Sequence, residues 1–470
     1  MPNGRPNILF LMSDEHRADV TGYAGDPVIR TPTLDHLAAT GVVFTNCYTP
    51  SPVCVPCRQS LASGQLPRTS GVECYGQDLP PFSMTWAKRF SQYAYGTVCC
   101  GKLHHDGPDQ MQGWKRRIGA NTRVTDSYVD GFLDDEAARF TPLGDGKWSD
   151  TKEVLRAGIG RGATTHVGDE IAALGATRLI ESRFLDLGGD RVNHHRPTLL
   201  KLSFNRPHYP YLTEQGLFSY YLNRVTPYLE QTVFDHPFLS QRQVRPGIDA
   251  TPRELRRATA AYYGMIEEID RDYGSVLNAL EAVGEDLDNW IIVYTSDHGE
   301  MLGQHGIWEK QKFFEASAKV PLIIRWPQRF QPRVVTENVN LCDLFATLCD
   351  LADIPLPNEA DTVDGRGLDS RSLVPLMDGD TSAWNNESIS QFGATNLMIK
   401  RDALKYHLYT GDACRDQPEV LFDLKADPSE SRNLINESGY ADAVTSFRTR
   451  CAELGFGPNA DPNYRNAGYR

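Results

Sequence analysis

Asn7-Ile8-Leu9-Phe10-Leu11-Met12 is an unbroken apolar run that stops at Ser13-Asp14-Glu15-His16. Apolar side chains without polar alternation mark a strand buried on both faces, which a sheet covered by helices on each side provides. The pattern returns far along the chain, where Trp290-Ile291-Ile292-Val293-Tyr294-Thr295-Ser296 ends in Asp297-His298-Gly299-Glu300. In open α/β sheets, reactive groups gather just beyond the carboxyl ends of such strands. Asp14, Asp297 and His298 each stand at that place. A solvated loop carboxylate is the plain alternative for any one of them alone.

Other strand-like runs lie at Val42 to Thr45, Tyr95 to Cys100, Pro197 to Phe204 and Val320 to Trp326. Helices are expected between them. Thr31 to Gly41 has a Thr cap, a Pro in the first turn and a closing Gly. Thr251 to about Gly284 spaces Leu255, Ala258, Tyr262, Ile266, Ile269 and Tyr273 as one helical stripe, which is core packing. Leu341 to Leu351 and Tyr440 to Leu454 are shorter helices. The stretch from Asp109 to about Arg191 is irregular apart from a helix near Gly168 to Leu187. The expected fold is α/β, a large, mostly parallel central sheet flanked by helices. From about Asp361, short strands and turns take over. The expected division is a catalytic unit over residues 1–360 and a smaller α+β subdomain with a polar tail over 361–470.

Several strands open into loops that carry candidate groups. Gly101-Lys102-Leu103-His104 leaves one of them, and a Lys and a His two apart on an extended segment can point the same way. Asn205-Arg206-Pro207-His208-Tyr209-Pro210 leaves another, and its two prolines hold His208. In Ser51-Pro52-Val53-Cys54-Val55-Pro56-Cys57-Arg58, the prolines prevent a helix until Pro56, which suits a first turn, and Gly64 ends it. Cys54 is thereby expected just before a helix, where the dipole lowers a thiol pKa and Arg58 offers donors to an oxyanion. Cys54 and Cys57 also form a C-x-x-C, the pattern of a redox dithiol in a thioredoxin-like setting. The plain alternative is a pair of buried structural cysteines.

A hydrophobic content of 40% and a charged content of 23% over 470 residues describe an ordinary globular chain. A net charge of −13 without a long basic run excludes nucleic acid as the main partner. No stretch approaches membrane-spanning length, and the N-terminus lacks a signal-peptide pattern. Ten cysteines without regular spacing read as free thiols, so a cytoplasmic location is expected.

The stretch Cys54-Val55-Pro56-Cys57-Arg58, followed after two positions by Leu61-Ala62-Ser63-Gly64, resembles the type I sulfatase signature C-x-[PA]-[SC]-R-x-x-L-x-[TS]-G. Asn7 to Asp14, Gly101 to His104, Pro207-His208, Ser296 to Gly299, Lys310 to Glu315 and Leu421 to Leu434 follow the same family's pattern in order. The resemblance implies an alkaline phosphatase-like fold. It also implies oxidation of Cys54 to formylglycine by a generating enzyme, which gives an aldehyde whose hydrate attacks a sulfate monoester. Carried over residue by residue, it gives Asp14, Asp297, His298 and the modified Cys54 as ligands of one divalent metal ion, calcium first, with manganese or magnesium as alternatives. It gives Arg58 as the residue steadying formylglycine, and Lys102 and Lys310 as binders of the sulfate oxygens. His104 corresponds to the base that collapses the hemiacetal, and His208 to the acid for the leaving alcohol. A small-molecule sulfate ester is the implied partner; apart from the resemblance, a homo-oligomer is expected, with no nucleic acid and no membrane.

The sequence departs from many relatives at two places. Glu15 stands where they have a second Asp, which puts its metal ligation in doubt, and His298 stands where they have Asn. The His form, together with Gly101 to Gln110, resembles the branch of choline sulfatases and phosphonate monoester hydrolases. The rival readings are therefore a phosphonate monoester or phosphodiester hydrolase using the same site and, more remotely, a thiol–disulfide oxidoreductase.

Overall fold

The computed structural model describes residues 4–105, 107–119, 151–161, 164–184, 196–230, 232, 234 and 236–457. In chain order its strands begin with β1 (Asn7–Asp14), β2 (Val42–Tyr48), β3 (Gly96–Gly101), β4 (Arg116–Ile118), β5 (Gly158–Ile159), β6 (Thr198–Pro207) and β7 (Leu212–Thr213). There follow β8 (Trp290–Ser296), β9 (Lys319–Arg325), β10 (Arg333–Val335), β11 (Val339–Asn340), β12 (Glu387–Phe392), β13 (Asn396–Arg401), β14 (Leu404–Tyr409) and β15 (Glu419–Asp423).

The main sheet runs β10-β2-β9-β8-β1-β6-β3-β4, with β11 also paired to β2. Strands β8, β1, β6, β3 and β4 are parallel to one another, and β9 is antiparallel to both its neighbours. The sheet is therefore mostly parallel, as the apolar runs imply. Register aligns the strand ends: Ser13 faces Ser296, Asp14 faces Pro207, and Gly101 faces Ser203.

Alternation along β1 builds two cores from one strand. Leu9 and Leu11 point to the face covered by the helix Pro252–Ala282, where they join Ile269, Tyr273, Val276 and Leu280. Ile8, Phe10 and Met12 point to the other face and pack with Val55, Cys57, Leu61 and Phe345. Each such side chain, fully buried, stabilises the fold by about 1.5–3 kcal/mol relative to exposure. The long helix starts with a capping box, the Thr251 hydroxyl accepting from the Glu254 N–H while the Glu254 carboxylate accepts from the Thr251 N–H.

Strands β12-β13-β14-β15 form a separate antiparallel sheet. On one face Leu397, Ile399, Tyr406 and Leu421 pack with Val444, Phe447 and Cys451 of the helix Ala441–Glu453. On the other face Met398, Tyr409, Val420 and Phe422 pack with Tyr48, Phe313 and Phe314 of the larger unit. The helix expected near Gly168 to Leu187 is Thr164–Phe184, and the remainder of that expectation lies outside the described residues, as does the tail over 458–470. All ten cysteines are unbridged. No helix among the described residues is long and apolar enough to cross a membrane.

Candidate active site

The Cys54 segment differs from the sequence expectation in one respect. The helix is Cys54–Ser63, with extended Val53 as its N-cap and left-handed Gly64 (φ 68°) as its C-cap, so Cys54 lies inside the first turn. The proline at 56 occupies that turn without cost, because its missing N–H would have no partner there. Arg58 follows one turn later on the same buried helix.

Four strand ends deliver the other groups. Asp14 is the last residue of β1, and Asp297 and His298 directly follow β8. Lys102 follows β3 at Gly101 (φ 88°), where a Cβ would lie 2.1 Å from the Ser203 carbonyl oxygen, so only glycine lets the chain turn into the crevice. His208 follows β6 between the cis peptides Arg206–Pro207 and Tyr209–Pro210.

One donor atom from each of Asp14, Cys54, Asp297 and His298 lies within 4.8 Å of the others, and all four residues are buried. The Cys54 thiol stands 3.1 Å from His298 Nε2 and 3.5 Å from Asp14 Oδ1. His298 Nδ1 lies 3.0 Å from the Gly299 carbonyl oxygen and donates to it, which leaves the Nε2 lone pair aimed at the cluster. Asp14 Oδ1, His298 Nε2 and the sulfur thus face one another with a single thiol proton among them. Two carboxylates and an imidazole around one point fit a divalent cation, and an oxygen in place of the Cys54 sulfur would complete a hard donor set.

Arg58 is spent on this cluster and offers nothing to a substrate oxyanion, contrary to the simplest reading of its position. Its Nε donates to Asp297 Oδ2 at 2.7 Å, and its other nitrogens donate to Asp14 Oδ2 at 3.3 Å, Ser203 Oγ at 2.9 Å and the Lys102 carbonyl at 3.2 Å. It therefore bridges two carboxylates, with one bond to each, in a site where both are desolvated. Lys102 Nζ donates to Asp14 Oδ2. Burial alone would raise the Asp14 carboxyl, but Lys102, His208, Arg58 and His298 outweigh it and hold the group well below its ordinary range.

The expected low thiol pKa is also corrected. Burial, and next the Asp14 carboxylate, push the Cys54 thiol up to about 12, overriding the helix dipole. Cys57, whose thiol donates to the Asp297 carbonyl at 3.0 Å, is pushed up by burial and Asp297. Two protonated, buried thiols make poor redox nucleophiles, and the dithiol reading loses its physical basis.

Lys310 and His208 converge on Glu15. Lys310 Nζ lies 3.0 Å and His208 Nε2 3.5 Å from Glu15 Oε2. His208 Nδ1 donates to the Tyr209 carbonyl at 2.7 Å, which turns Nε2 toward the crevice. Asp14, Glu15 and His208 form a second close set of donor atoms, but the Lys102 and Lys310 ammoniums already supply its positive charge. His104 (φ 59°) is not on an extended segment as expected; its Nε2 lies 3.4 Å from the Tyr75 hydroxyl, with the rings edge to face. Burial, then Lys102 and Arg58, holds its imidazole well below the ordinary range, which favours the neutral ring.

The sequence reading named nine residues: Asp14, Cys54, Arg58, Lys102, Asp297 and His298 lie in one connected cluster, Lys310 and His208 meet at Glu15, and His104 contacts Tyr75. It missed Ser203, a polar residue inside an apolar strand, which was the available signal. It also missed Tyr75, which no pattern marked.

The sulfatase family profile matches residues 6–354, and a profile described as N-sulphoglucosamine sulphohydrolase, C-terminal, matches residues 303–455. A choline-sulfatase of Rhizobium meliloti (strain 1021) is 31% identical over 461 residues, covering 95% of this chain and 86% of its own. An arylsulfatase of Clostridium perfringens (strain 13 / Type A) is 30% identical over 471 residues, covering 94% of this chain and 93% of its own. In fold, the crystal structure of a phosphonate monoester hydrolase of Agrobacterium radiobacter superposes with a TM-score of 0.73 at 22% identity, covering 96% of this chain and 95% of that one. With the profile spanning the sheet and every strand-end loop described above, the chain belongs to the sulfatase family.

Proposed function

We propose that this enzyme hydrolyses a sulfate monoester, such as choline sulfate or an aryl or carbohydrate sulfate, through a formylglycine made from Cys54. The observation that carries the reading is the convergence of Asp14, Cys54, Asp297 and His298 within 4.8 Å, beside two buried lysines. A divalent cation in that cluster, calcium first and manganese or magnesium next, would polarise the attacking oxygen and neutralise sulfate charge.

The remaining work belongs to the chain. Hydrated formylglycine at position 54 offers two hydroxyls; the deprotonated one attacks sulfur, and the S–O bond to the alcohol breaks. His208 Nε2 gives the departing oxygen its proton. Burial, then Lys310, keeps that ring well below its ordinary range in the free enzyme. An anionic ester placed between Lys310 and His208 cancels the lysine's effect and favours the protonated ring. Lys102 and Lys310 hold the sulfate oxygens. His104 then takes the proton of the second hydroxyl, the C–O bond breaks, and sulfate leaves as the aldehyde returns. That second hydroxyl is the reason for the modification, since a serine would remain a stable ester.

Cys54 is 3% exposed in the fold, so the generating enzyme must meet the segment before it is packed. Residues 1–360 carry the chemistry in this reading, and 361–470 form the smaller subdomain. Ten free thiols fit a reducing, cytoplasmic setting, and a second copy of the chain is the proposed oligomeric partner.

Peptide mass at Cys54 after coexpression with a generating enzyme, followed by turnover of choline sulfate, an aryl sulfate and phenylphosphonate, tests the proposal. Formylglycine with sulfate-ester preference supports it. A clear phosphonate preference transfers the same machinery to the phosphonate monoester hydrolases, and an unmodified, active Cys54 overturns it.

A further inference from the structure

The smaller subdomain reaches the crevice through a buried ion cluster that the mechanism above does not use. Lys405 on β14 is fully buried, and its Nζ donates to Glu315 Oε1 and Glu430 Oε1, each at 2.8 Å. Glu430 Oε2 accepts the Glu315 N–H at 2.6 Å, and Glu315 Oε2 accepts the Tyr48 hydroxyl at 3.2 Å. Every oxygen of both carboxylates therefore has a donor. Glu315 opens the helix Glu315–Ala318, five residues after Lys310.

The intervening residues have no freedom of their own. Phe313 meets His407 edge to face at 5.3 Å and Tyr409 tilted at 6.3 Å, and Phe314 meets Phe422 tilted at 6.0 Å. The Gln311 N–H donates to the Pro52 carbonyl at 3.1 Å, and the Gln391 N–H on β12 donates to the Pro50 carbonyl at 2.9 Å. The C-terminal sheet thus bonds to two of the segments that bear site groups, the one carrying Cys54 and the one carrying Lys310.

We propose that Lys405, acting with Glu430 through Glu315, is a positioning residue that sets where the Lys310 ammonium stands against Glu15 and the substrate sulfate. This rests on the sulfatase reading for what Lys310 binds. Lys310 Nζ has one carboxylate contact at 3.0 Å and the Tyr209 ring at 5.0 Å. Its side chain is long, so its placement depends on where its backbone is anchored. Small misplacements at a binding group are costly, an ångström being worth about 10²-fold.

The test is a mutant cycle on the mature, full-length enzyme, with rates corrected for formylglycine and metal content. K405M/E430Q removes the cation and one carboxylate charge together, leaving Glu315 with Tyr48 and Lys319. The expected result is a loss of about ten- to a hundredfold in kcat/KM at unchanged formylglycine and metal content. Adding Lys310→Met to that pair should cost almost nothing more than Lys310→Met alone, because both act through one ammonium. The same pair combined with Lys102→Met should give multiplied losses. Multiplied losses with Lys310→Met as well, or an unchanged rate in K405M/E430Q, overturn the proposal. If K405M/E430Q does not fold, Tyr48→Phe, which removes only the hydroxyl on Glu315, is put through the same cycle with the same criteria. Wild-type enzyme that ignores sulfate esters and hydrolyses a phosphonate sinks the substrate reading alone, and the cycle is then decided on that ester.

Discussion

Two buried charge clusters in this molecule use the same parts to opposite ends. At the crevice, Lys102 and Arg58 meet Asp14 and Asp297; at the seam between the two sheets, Lys405 meets Glu315 and Glu430. At the seam every carboxylate oxygen is met by an N–H or O–H donor. At the crevice, among the described residues, Asp14 Oδ1 has only the Cys54 thiol as donor, at 3.5 Å, and His298 Nε2 turns its lone pair to the same spot. A closed cluster holds structure, whereas a surplus of acceptors around one point is a place for a cation. The difference lies in the count of donors, since burial and residue types are alike.

The largest effect expected is on chemistry alone. Cys54→Ala should cost on the order of 10⁴-fold or more in turnover. The melting temperature should stay within a few degrees, because the side chain makes no ion pair and begins a helix that Val55, Cys57 and Leu61 anchor. Steady-state rates and a thermal melt check both halves, and a collapsed melt would erase the contrast between the clusters. Lys405→Met should instead show in stability as well as in rate, because it leaves two carboxylates facing each other in a dry seam. A loss of about 3–5 kcal/mol is expected from chemical denaturation, as when one partner of a buried pair is removed.

The contrast also explains what could be read in advance. The uninterrupted apolar runs at Asn7 and Trp290 announced strands buried on both faces, and Asp14, Asp297 and His298 followed because strand ends in such sheets face a shared crevice. The proline, arginine and glycine around Cys54 marked a helix beginning there, and the resemblance they carry marked the cysteine. Electrostatics was not legible. That Arg58 would be consumed by Asp14, Asp297 and Ser203 depends on which strands are neighbours, and β6 brings Ser203 there from 145 residues away. The Cys54 thiol was expected low from its helix end, yet burial beside Asp14 governs it. The seam was invisible for the same reason: Glu315, Lys405 and Glu430 are scattered along the chain and meet only after two sheets pack.

Next in size is Asp297→Asn, which weakens both the cation donor set and the anchor of Arg58. A fall of about 10²–10³-fold in kcat is expected, together with metal content below one per chain by elemental analysis. Retention of full activity in chelator would refute the assignment. A smaller effect belongs to pH. Burial, then Arg17, pushes His305 down to about 4, and the ring is only 5% exposed. An imidazole depressed in the folded state contributes stability that is fully present above the unfolded value near 6.5 and is lost as the pH falls through 4. The loss is up to about 3 kcal/mol. His305→Asn, which tolerates the left-handed φ of 55° at this position, should narrow the gap between melts at pH 7 and pH 4.5.

The smallest effect expected is at Glu15, and it sharpens the line between the two kinds of cluster inside the crevice itself. Glu15 is fully buried next to the cation donors, yet its Oε2 faces Lys310 and His208, and its backbone N–H donates to Asp297 Oδ1 at 3.1 Å. Its Oε1 has no hydrogen-bond donor among the described residues, and burial raises the carboxyl well above its ordinary range against the pull of Lys310. Only Oε2 therefore resembles the seam and holds a partner in place. Glu15→Gln keeps the shape and an oxygen for Lys310 while removing the ionisable group it pairs with. About a tenfold loss in kcat/KM is expected, the scale of one weakened charged hydrogen bond, with metal content unchanged. If elemental analysis shows the metal leaving with the charge, Glu15 belongs to the open cluster, and the donor count that separates the two regions has been drawn one residue too tightly.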